Sequence, residues 1–263
     1  MELGLADKVV MIAGATKGLG YGVAYEGAKE GARISIGSRN EEHVHEAVER
    51  LSDELQTEVY GTVLDVRDGD SILQWVEQTL DQWGTIDALV TNGGGPPAGN
   101  FDDFDDSDWQ AAFELTLLSV VRMVRAVLPV MKENKSGAIV TMTSTSIKQP
   151  IDNLLLSNVL RPGVVALAKS LSLELAGYNI RVNNLVPGSF GTDRMHYLIG
   201  KKAENLGISS EDLIAESESK VPLGRFGTVS EFGKAAVFLI SEAAAYITGE
   251  TLIVDGGLVR TVW

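Results

Sequence analysis

Short apolar runs alternate with longer amphipathic segments along most of this chain. The short runs are rich in β-branched residues and predict strands at residues 9–13, 34–36, 58–64, 86–91, 138–143, 180–186 and 251–254. Helical spacing of apolar residues predicts helices between them, at residues 19–30, 41–55, 71–83, 107–131, 159–176 and 230–241. Near-continuous apolar strands are typical of parallel sheets covered on both faces. The pattern therefore predicts an α/β fold of right-handed βαβ units, with a doubly wound parallel sheet.

One segment breaks this rhythm. Residues 192–221 are polar, helical in composition and placed directly after the sixth predicted strand. Open α/β sheets bind their ligands beyond the carboxyl ends of the strands. We therefore interpret residues 192–221 as a substrate lid. No linker or internal repeat divides the chain, so we expect one domain over residues 1–263.

Composition narrows the class of protein. A net charge of −14 argues against a nucleic-acid partner, because phosphate binding needs a basic face. Five aspartates within residues 101–109 are interpreted as a solvated helix N-terminus. The chain has no cysteine and only 3 dispersed histidines, so we expect no metal site. It also lacks an apolar run of the roughly 20 residues that span a bilayer, and a leader pattern. We therefore expect a cytoplasmic protein that binds no membrane.

The first predicted strand runs into a glycine-rich turn that opens a helix. Gly14, Gly18 and Gly20 stand there with the spacing G-x-x-x-G-x-G. Glycines let the backbone turn sharply and approach a pyrophosphate, which then lies at the N-terminus of the helix. This position favours dinucleotide binding over a simple turn.

That spacing resembles the glycine signature of the short-chain dehydrogenases/reductases, and further motifs follow in the family's order. They are Leu64-Asp65-Val66, Asn92-Gly93-Gly94, Pro187-Gly188 with Thr192, and the tail motifs at residues 246–249 and 254–257. The resemblance covers essentially the whole chain and implies a Rossmann-type sheet of seven strands in the order 3-2-1-4-5-6-7. Overall similarity is greatest to 3-oxoacyl-carrier-protein reductases. The cofactor-binding residues that this resemblance and the glycine turn predict are Gly14, Thr16, Lys17, Gly18, Leu19, Gly20, Ser38, Arg39, Asp65, Val66, Asn92, Gly93, Gly94, Pro187, Gly188 and Thr192.

The end of the second strand bears on cofactor choice. NAD needs a carboxylate there for its ribose 2′-hydroxyl, whereas the 2′-phosphate of NADP needs a cation. This chain has Ser38 and then Arg39, and Lys17 in the glycine turn can add a second cation. Each could instead be an ordinary surface residue. Together they favour NADP(H).

The catalytic motif of the family is only partly present. The resemblance implies a serine after the fifth strand, then a tyrosine, a lysine four residues later and an asparagine on the preceding helix. Ser144 matches the serine, as a substrate hydrogen-bond donor or, alternatively, as the cap of a turn. Ser157 stands at the tyrosine position, Arg161 at the lysine position and Thr116 at the asparagine position. Our candidate catalytic residues are therefore Ser144, Ser157 and Arg161.

Chemistry leaves two functions open. A serine hydroxyl is a much weaker acid than a phenol, whose pKa is about 10, but Arg161 can bind ribose hydroxyls or stabilise an oxyanion. The first hypothesis is an NADP(H)-dependent oxidoreductase for a small carbonyl or alcohol substrate. The second is an inactive NADP-binding sensor or subunit partner. His196 and Tyr197 in the lid could replace the lost acid, or merely pack or face solvent.

Two structural expectations complete the analysis. Family members pair through the helices predicted here at residues 107–131 and 159–176 and through the last strand, which predicts a homotetramer. Pro162 directly follows Arg161, and proline is tolerated only in the first turn of a helix. We therefore expect this helix either to begin late, near Asn158 with Ser157 or Asn158 as cap, or to begin earlier and bend at Pro162. Either geometry would move Ser157 and Arg161.

Overall fold

The computed structural model describes residues 2–262, apart from the side chains at positions 198, 202, 205 and 206. Its strands are β1 (Val9–Ala13), β2 (Arg33–Ser38), β3 (Val59–Val63), β4 (Ala88–Thr91), β5 (Gly137–Met142), β6 (Ile180–Pro187) and β7 (Thr251–Val254). Its α-helices are α1 (Gly18–Lys29), α2 (Glu41–Leu55), α3 (Gly69–Trp83), α4 (Asp106–Phe113), α5 (Ser119–Asn134), α6 (Leu155–Glu174), α7 (Asp193–Leu206), α8 (Ser210–Ser219) and α9 (Val229–Ile240).

The strands form a parallel sheet in the order β3-β2-β1-β4-β5-β6-β7. The predicted fold class and strand order are confirmed. One apolar cluster packs side chains of α1 and α9, such as Val23 and Phe232, on one face of the sheet. Another packs side chains of α3, α5 and α6, such as Trp75, Val124 and Val164, on the opposite face. The strand order reverses between β1 and β4, so a crevice opens there at the carboxyl ends of the strands.

The helix predicted at residues 107–131 is confirmed, but it contains a π turn that the sequence pattern does not show. It consists of α4, a π-helical turn at Glu114–Leu118 and α5, which continues to Asn134. A π turn adds one residue to a helical turn while hardly changing its apolar period, and such turns are frequent at functional sites. The aspartates behave as expected, because Asp105 caps α4 and its side chain accepts from the backbone of Ser107 and Asp108.

Helix α6 begins at Leu155, so of the two alternatives the late start near Asn158 is wrong, and a bend at Pro162 stays a prediction. Asn158 lies inside the helix, where its side chain accepts from the Ile151 N–H at 3.1 Å and donates to the Ile151 carbonyl at 2.9 Å. It therefore anchors the preceding turn instead of capping the helix. The helix continues through Pro162, whose missing N–H leaves the Asn158 carbonyl without its helical donor.

The segment interpreted as a lid folds as two helices, α7 and α8. Ile199, Ala203, Leu213 and Phe226 form a small apolar cluster beneath them, separate from the clusters on the sheet. This cluster holds α7 and α8 against each other, above the carboxyl ends of the strands. None of the helices within residues 2–262 combines the length and the apolar character that a membrane crossing requires.

Candidate active site

The glycine turn between β1 and α1 has a backbone that only glycine adopts easily. Gly14 and Gly18 have φ angles of +60° and +61°, in the left-handed region. At Gly20 a Cβ atom would lie 2.5 Å from the Gly14 carbonyl oxygen and 2.7 Å from Asn92 Nδ2. Asn92 Nδ2 donates to that same carbonyl at 2.9 Å, which ties the turn to the end of β4. The turn is thus rigid and closely packed.

The N-terminus of α1 presents free backbone donors. Lys17 is its N-cap residue and makes no capping hydrogen bond with its side chain, whereas side chains do cap α2, α3, α4, α7, α8 and α9 in the described chain. Uncapped N–H groups at a helix N-terminus suit a phosphate. A groove of about 640 Å³ opens in front of them, and its walls include Lys17, Leu19 and Thr192.

The groove continues past the ends of β2 and β3. This part has a volume of about 270 Å³ and is lined by Ser38, Arg39, Asp65 and Val66, among others. Asp65 accepts from Arg67 Nε at 3.1 Å and from its Nη2 at 2.6 Å, and these bonds lower the pKa of the Asp65 carboxyl. Since Arg67 neutralises Asp65, exposed Arg39 makes this end of the groove suitable for an anionic group.

Gly93 and Gly94, at the end of β4, keep the middle of the groove open. A Cβ atom at Gly94 would meet nothing within 4 Å, and one at Gly93 would meet only Val66 Cγ2, at 3.9 Å. Both parts of the groove share these glycines with Gly14 and Arg39, so it is continuous. Its length, its cationic side chains and the free donors of α1 fit a nicotinamide dinucleotide.

Ser144 stands directly beyond β5. Its Oγ accepts from the Ser146 N–H at 3.3 Å and caps the short 3-10 turn Thr145–Ile147. Ser144 therefore caps a turn, which is one of the two roles expected for it. The capping hydrogen bond uses only an acceptor site of the hydroxyl. The hydroxyl proton remains able to donate to a bound oxygen.

Ser157 and Arg161 lie one turn apart on α6 and are joined by a hydrogen bond between their side chains. Arg161 Nε donates to Ser157 Oγ at 2.9 Å, and Arg161 Nη1 lies 3.5 Å from the Met142 carbonyl oxygen. Ser157 is buried, and its Oγ lies 3.5 Å from Ser146 Oγ. Burial, reinforced by the like charge of Arg194, lowers the pKa of the Arg161 guanidinium to about 10. Arg161 is therefore still a cation at neutral pH.

A cavity of about 20 Å³ adjoins this pair. Thr91, Thr116 and Arg161 are among its lining residues. The hydroxyl groups of Thr91 and Thr116 are buried and have no hydrogen-bond partner among the described protein groups. A cavity needs roughly 10–15 Å³ to hold one water molecule. This cavity therefore suits a water that bridges the two threonines, and the π turn holds Thr116 at its wall.

The comparisons with known proteins agree on one family. Residues 14–259 match the family model described as enoyl-(acyl carrier protein) reductase. A 3-oxoacyl-[acyl-carrier-protein] reductase of Chlamydia muridarum is 33% identical over 254 residues, which are 97% of this chain and 98% of the relative. The chain belongs to the short-chain dehydrogenase/reductase family.

Solved structures of short-chain reductases match it along almost all of their length. The L-sorbose reductase of Gluconobacter frateurii, complexed with NADPH and L-sorbose, has a TM-score of 0.96 and 30% identity, with 100% of both chains covered. A variant of the actinorhodin polyketide ketoreductase with NADPH has a TM-score of 0.92 and 32% identity, covering 97% of this chain and 98% of that one. The chain is thus a short-chain oxidoreductase that takes a nicotinamide dinucleotide.

The structure brings most of the predicted cofactor residues of this short-chain dehydrogenase/reductase together. Those that line the groove are Gly14, Lys17, Gly18, Leu19, Ser38, Arg39, Asp65, Val66, Asn92, Gly93, Gly94 and Thr192. Thr16 is buried and its Oγ1 donates to Ser38 Oγ at 3.3 Å. A Cβ atom at Gly188 would lie 2.5 Å from Asp255 Cα, so Gly188 packs against the segment after β7. Gly188 and Pro187 are outside the residues that line the groove.

The candidate residues at the start of the lid segment make different contacts. Thr192 Oγ1 accepts from the Met195 N–H at 3.2 Å and caps α7. Tyr197 lines the groove but is 63% exposed, and His196 is exposed as well. Neither side chain forms a hydrogen bond or ion pair in the described part of the chain. They therefore resemble solvent-facing residues more than preorganised acids.

Sequence reasoning missed some residues of the site. Ser146 is buried beside Ser157, and Arg67 binds Asp65. Arg194, the second residue of α7, reaches across the groove to the loop after β4. Ser146 and Arg67 each lie two residues from a predicted site residue, Ser144 and Asp65, and this proximity is the signal that could have identified them. Arg194 also lies two residues from a predicted residue, Thr192, but its reach to the loop after β4 depends on how the lid helices pack.

Proposed function

We propose that this protein is an NADP(H)-dependent oxidoreductase that interconverts a carbonyl compound and its alcohol. The observation that carries this proposal is the groove itself, with free donors at α1 and the cations Lys17 and Arg39 along it. Arg39 follows Ser38 at the end of β2, where NAD-specific sites place a carboxylate. The sorbose reductase and polyketide ketoreductase structures contain NADPH, which supports the same cofactor.

When bound, the cofactor supplies or accepts a hydride. The chain's own contribution is to hold and polarise the substrate oxygen. Ser144 can donate its hydroxyl proton in a hydrogen bond, and Arg161 provides a fixed positive charge for an oxygen that becomes negative. Proton donation by a tyrosine is absent, and general acid catalysis is typically worth roughly 10²–10⁴-fold. We therefore propose slower turnover than in relatives that have a tyrosine, with substrates that include 3-oxoacyl compounds, as the name of the Chlamydia relative suggests.

The alternative is an inactive NADP-binding sensor or subunit partner. The hydrogen bond between Ser157 and Arg161 favours this alternative. Ser157 is buried and already accepts a hydrogen bond from Arg161, so its hydroxyl is not presented to a substrate. Such a protein would bind NADPH through the same groove but would not need a polarised site for a substrate oxygen.

The decisive experiment measures NADPH oxidation with ketones, aldehydes and 3-oxoacyl thioesters, beside NADPH binding followed by fluorescence. An enzyme oxidises NADPH with at least one compound, and Arg161→Ala lowers kcat/KM by about tenfold or more, while NADPH still binds. Lys29→Ala, at the exposed far end of α1, is the matched control. Tight NADPH binding without turnover of any compound would favour the sensor.

A further inference from the structure

Two guanidinium groups converge on the loop after β4. Arg161 Nη2 and Arg194 Nη2 lie 3.6 Å and 3.9 Å from the point where a Cβ atom of Gly95 would stand. Arg161 comes from α6 beneath the groove, and Arg194 comes from α7 in the segment interpreted as a lid. Gly95 leaves the space between them free, since any side chain there would enter it.

Neither group has an anionic partner in the part of the chain that the structure describes. Arg161 bonds only to the Ser157 hydroxyl and the Met142 carbonyl, and Arg194 forms no hydrogen bond or ion pair. Arg67 and Arg225, by contrast, each pair with a carboxylate at 2.6 Å. The chain has 36 acidic residues against 22 basic ones, so unpaired arginines side by side are not explained by a lack of acids.

The pair carries an electrostatic cost that a bound anion would relieve, although Arg194 itself is exposed to solvent. Like charges repel, and Arg161 also loses hydration by its burial. Asp193 borders the groove next to Arg194 but forms no ion pair with it among the described contacts. A ligand that brings a negative group between the two guanidiniums would remove both costs, and a planar carboxylate matches their paired donors.

We infer that this site selects carbonyl substrates that carry a carboxylate, which Arg161 and Arg194 bind together beside Gly95. In a 2- or 3-oxo acid the carboxylate carbon is one or two bonds from the carbonyl carbon, so the charge of Arg161 can serve both the carboxylate and the carbonyl oxygen. The inference rests on the proposed function and narrows its substrate class to free acids, so a 3-oxoacyl thioester, which has no carboxylate at that position, should be a poorer substrate than the free 3-oxo acid.

Arg194 also borders both parts of the cofactor groove, and Gly95 borders the part beyond β2 and β3. The cofactor's phosphates are assigned to the α1 N-terminus, Lys17 and Arg39, so Arg194→Gln should leave NADPH affinity unchanged if the arginine pair serves the substrate. Arg161, in contrast, lies at the ends of β4 and β5, next to Thr91 and Met142. Arg194 is then a specificity residue that closes over the substrate from the lid.

The test compares matched acids and esters with the complete enzyme. Acetoacetate and methyl acetoacetate, or pyruvate and methyl pyruvate, differ mainly in the charge of one group. We expect kcat/KM with NADPH to be at least about tenfold higher for the acids. Arg194→Gln should remove this preference, chiefly through a higher KM, and Arg194→Lys should keep part of it. Lys201→Gln, which changes a cation on the same helix, is the control.

Binding gives a readout that does not depend on turnover. Calorimetric titration of acetoacetate into the enzyme with NADP⁺ should show a Kd that Arg194→Gln raises by about tenfold or more. Equal rates with acids and esters, or a preference unchanged in Arg194→Gln, would overturn the inference and leave carbonyl reduction intact. A preference for dihydroxyacetone phosphate over these acids would overturn the choice of a carboxylate. Absence of any turnover would refute the proposed function, while acetoacetate binding lost in Arg194→Gln would still uphold the anion site.

Discussion

Arg39 is the side chain on which the proposed choice of NADP over NAD depends. It is exposed, it lines the groove, and Asp65, a carboxylate in the same part of the groove, is bound to Arg67. A guanidinium in this position can pair with a 2′-phosphate but gains nothing from a 2′-hydroxyl. The proposed selectivity therefore rests on one residue that no internal ion pair holds in the described structure.

We expect Arg39→Ala to weaken NADPH binding by about tenfold or more and to leave NADH binding nearly unchanged, since one charge-assisted pair is lost. Calorimetric titration of both cofactors into wild type and variant measures this. Lys29→Ala serves as the control because it removes a cation at the C-terminal end of α1, which does not line the groove. Equal affinities of the wild type for NADPH and NADH would refute the assignment, as would a preference that survives in Arg39→Ala.

Gly20 has a packing role that a single methyl group would destroy. Its Cβ would lie 2.5 Å from the Gly14 carbonyl oxygen, a backbone atom that cannot rotate away. We expect Gly20→Ala to destabilise the fold by about 1–3 kcal/mol and to abolish tight NADPH binding. Denaturant unfolding and fluorescence titration measure the two effects. Gly177→Ala, where a Cβ would meet nothing within 4 Å, should change neither. Wild-type NADPH affinity in Gly20→Ala would show that the turn can move.

Helix α9 has a capping box whose strength depends on pH. Thr228 caps the helix, and Glu231 accepts from the Thr228 N–H at 2.9 Å and from both terminal nitrogens of Arg225. These bonds, chiefly those from Arg225, lower the pKa of Glu231 from 4.5 to about 2. A carboxyl with a lowered pKa stabilises the fold above its ordinary pKa and loses that contribution as the pH falls toward its folded value.

We expect Glu231→Gln to lower the free energy of unfolding at pH 7 by about 0.5 kcal/mol, a small effect because the pair is exposed. The glutamine keeps the capping geometry, so only the charge is tested. The difference from wild type should shrink as the pH falls from 4.5 toward 2, the folded pKa. Thermal unfolding between pH 7 and pH 3 checks this, with Glu211→Gln in the first turn of α8 as control. A difference that stays constant over this range would exclude the charge as its cause.

The elements themselves show what periodicity can predict. Strands such as β1, β6 and β7 were predicted to within one residue, because a buried parallel strand is a continuous apolar run. The π turn at Glu114–Leu118 was not, since one extra residue barely disturbs the apolar pattern. The start of α6 was misplaced because Asn158 looks like a cap, and only the folded loop shows that its side chain binds Ile151.

The site likewise contains residues that the sequence pattern indicates and residues that only the folded structure brings together. Glycine spacing and strand ends indicated most residues of the groove, because backbone geometry forces those residue types. The meeting of Arg161 and Arg194 at Gly95 depends on how α7 packs over the sheet, and no local pattern encodes it. The residues to which we assign substrate specificity are thus ones brought together by tertiary packing alone.

The outer faces of α4 and α6 bear on assembly. Phe113, Val159 and Leu173 are 37%, 52% and 73% exposed on the single chain, so both helices present large apolar side chains to solvent. These helices belong to the regions predicted to pair subunits. A closed assembly with twofold axes would bury the same faces on every copy.

We expect the protein to be a homotetramer at micromolar concentration, by light scattering coupled to gel filtration. A double variant with Val159→Glu and Leu173→Glu should shift the mass to that of a dimer, because the interface would have to bury unpaired carboxylates. The matched control is Ile208→Glu, which places the same charge on an exposed apolar residue between α7 and α8. The double variant should still bind NADPH, because its substitutions lie away from the groove. Retained NADPH binding would show that a lower molecular mass reflects dissociation of the tetramer and not unfolding. A monomeric wild type, or a tetramer that survives both charges, would show that these faces do not join subunits.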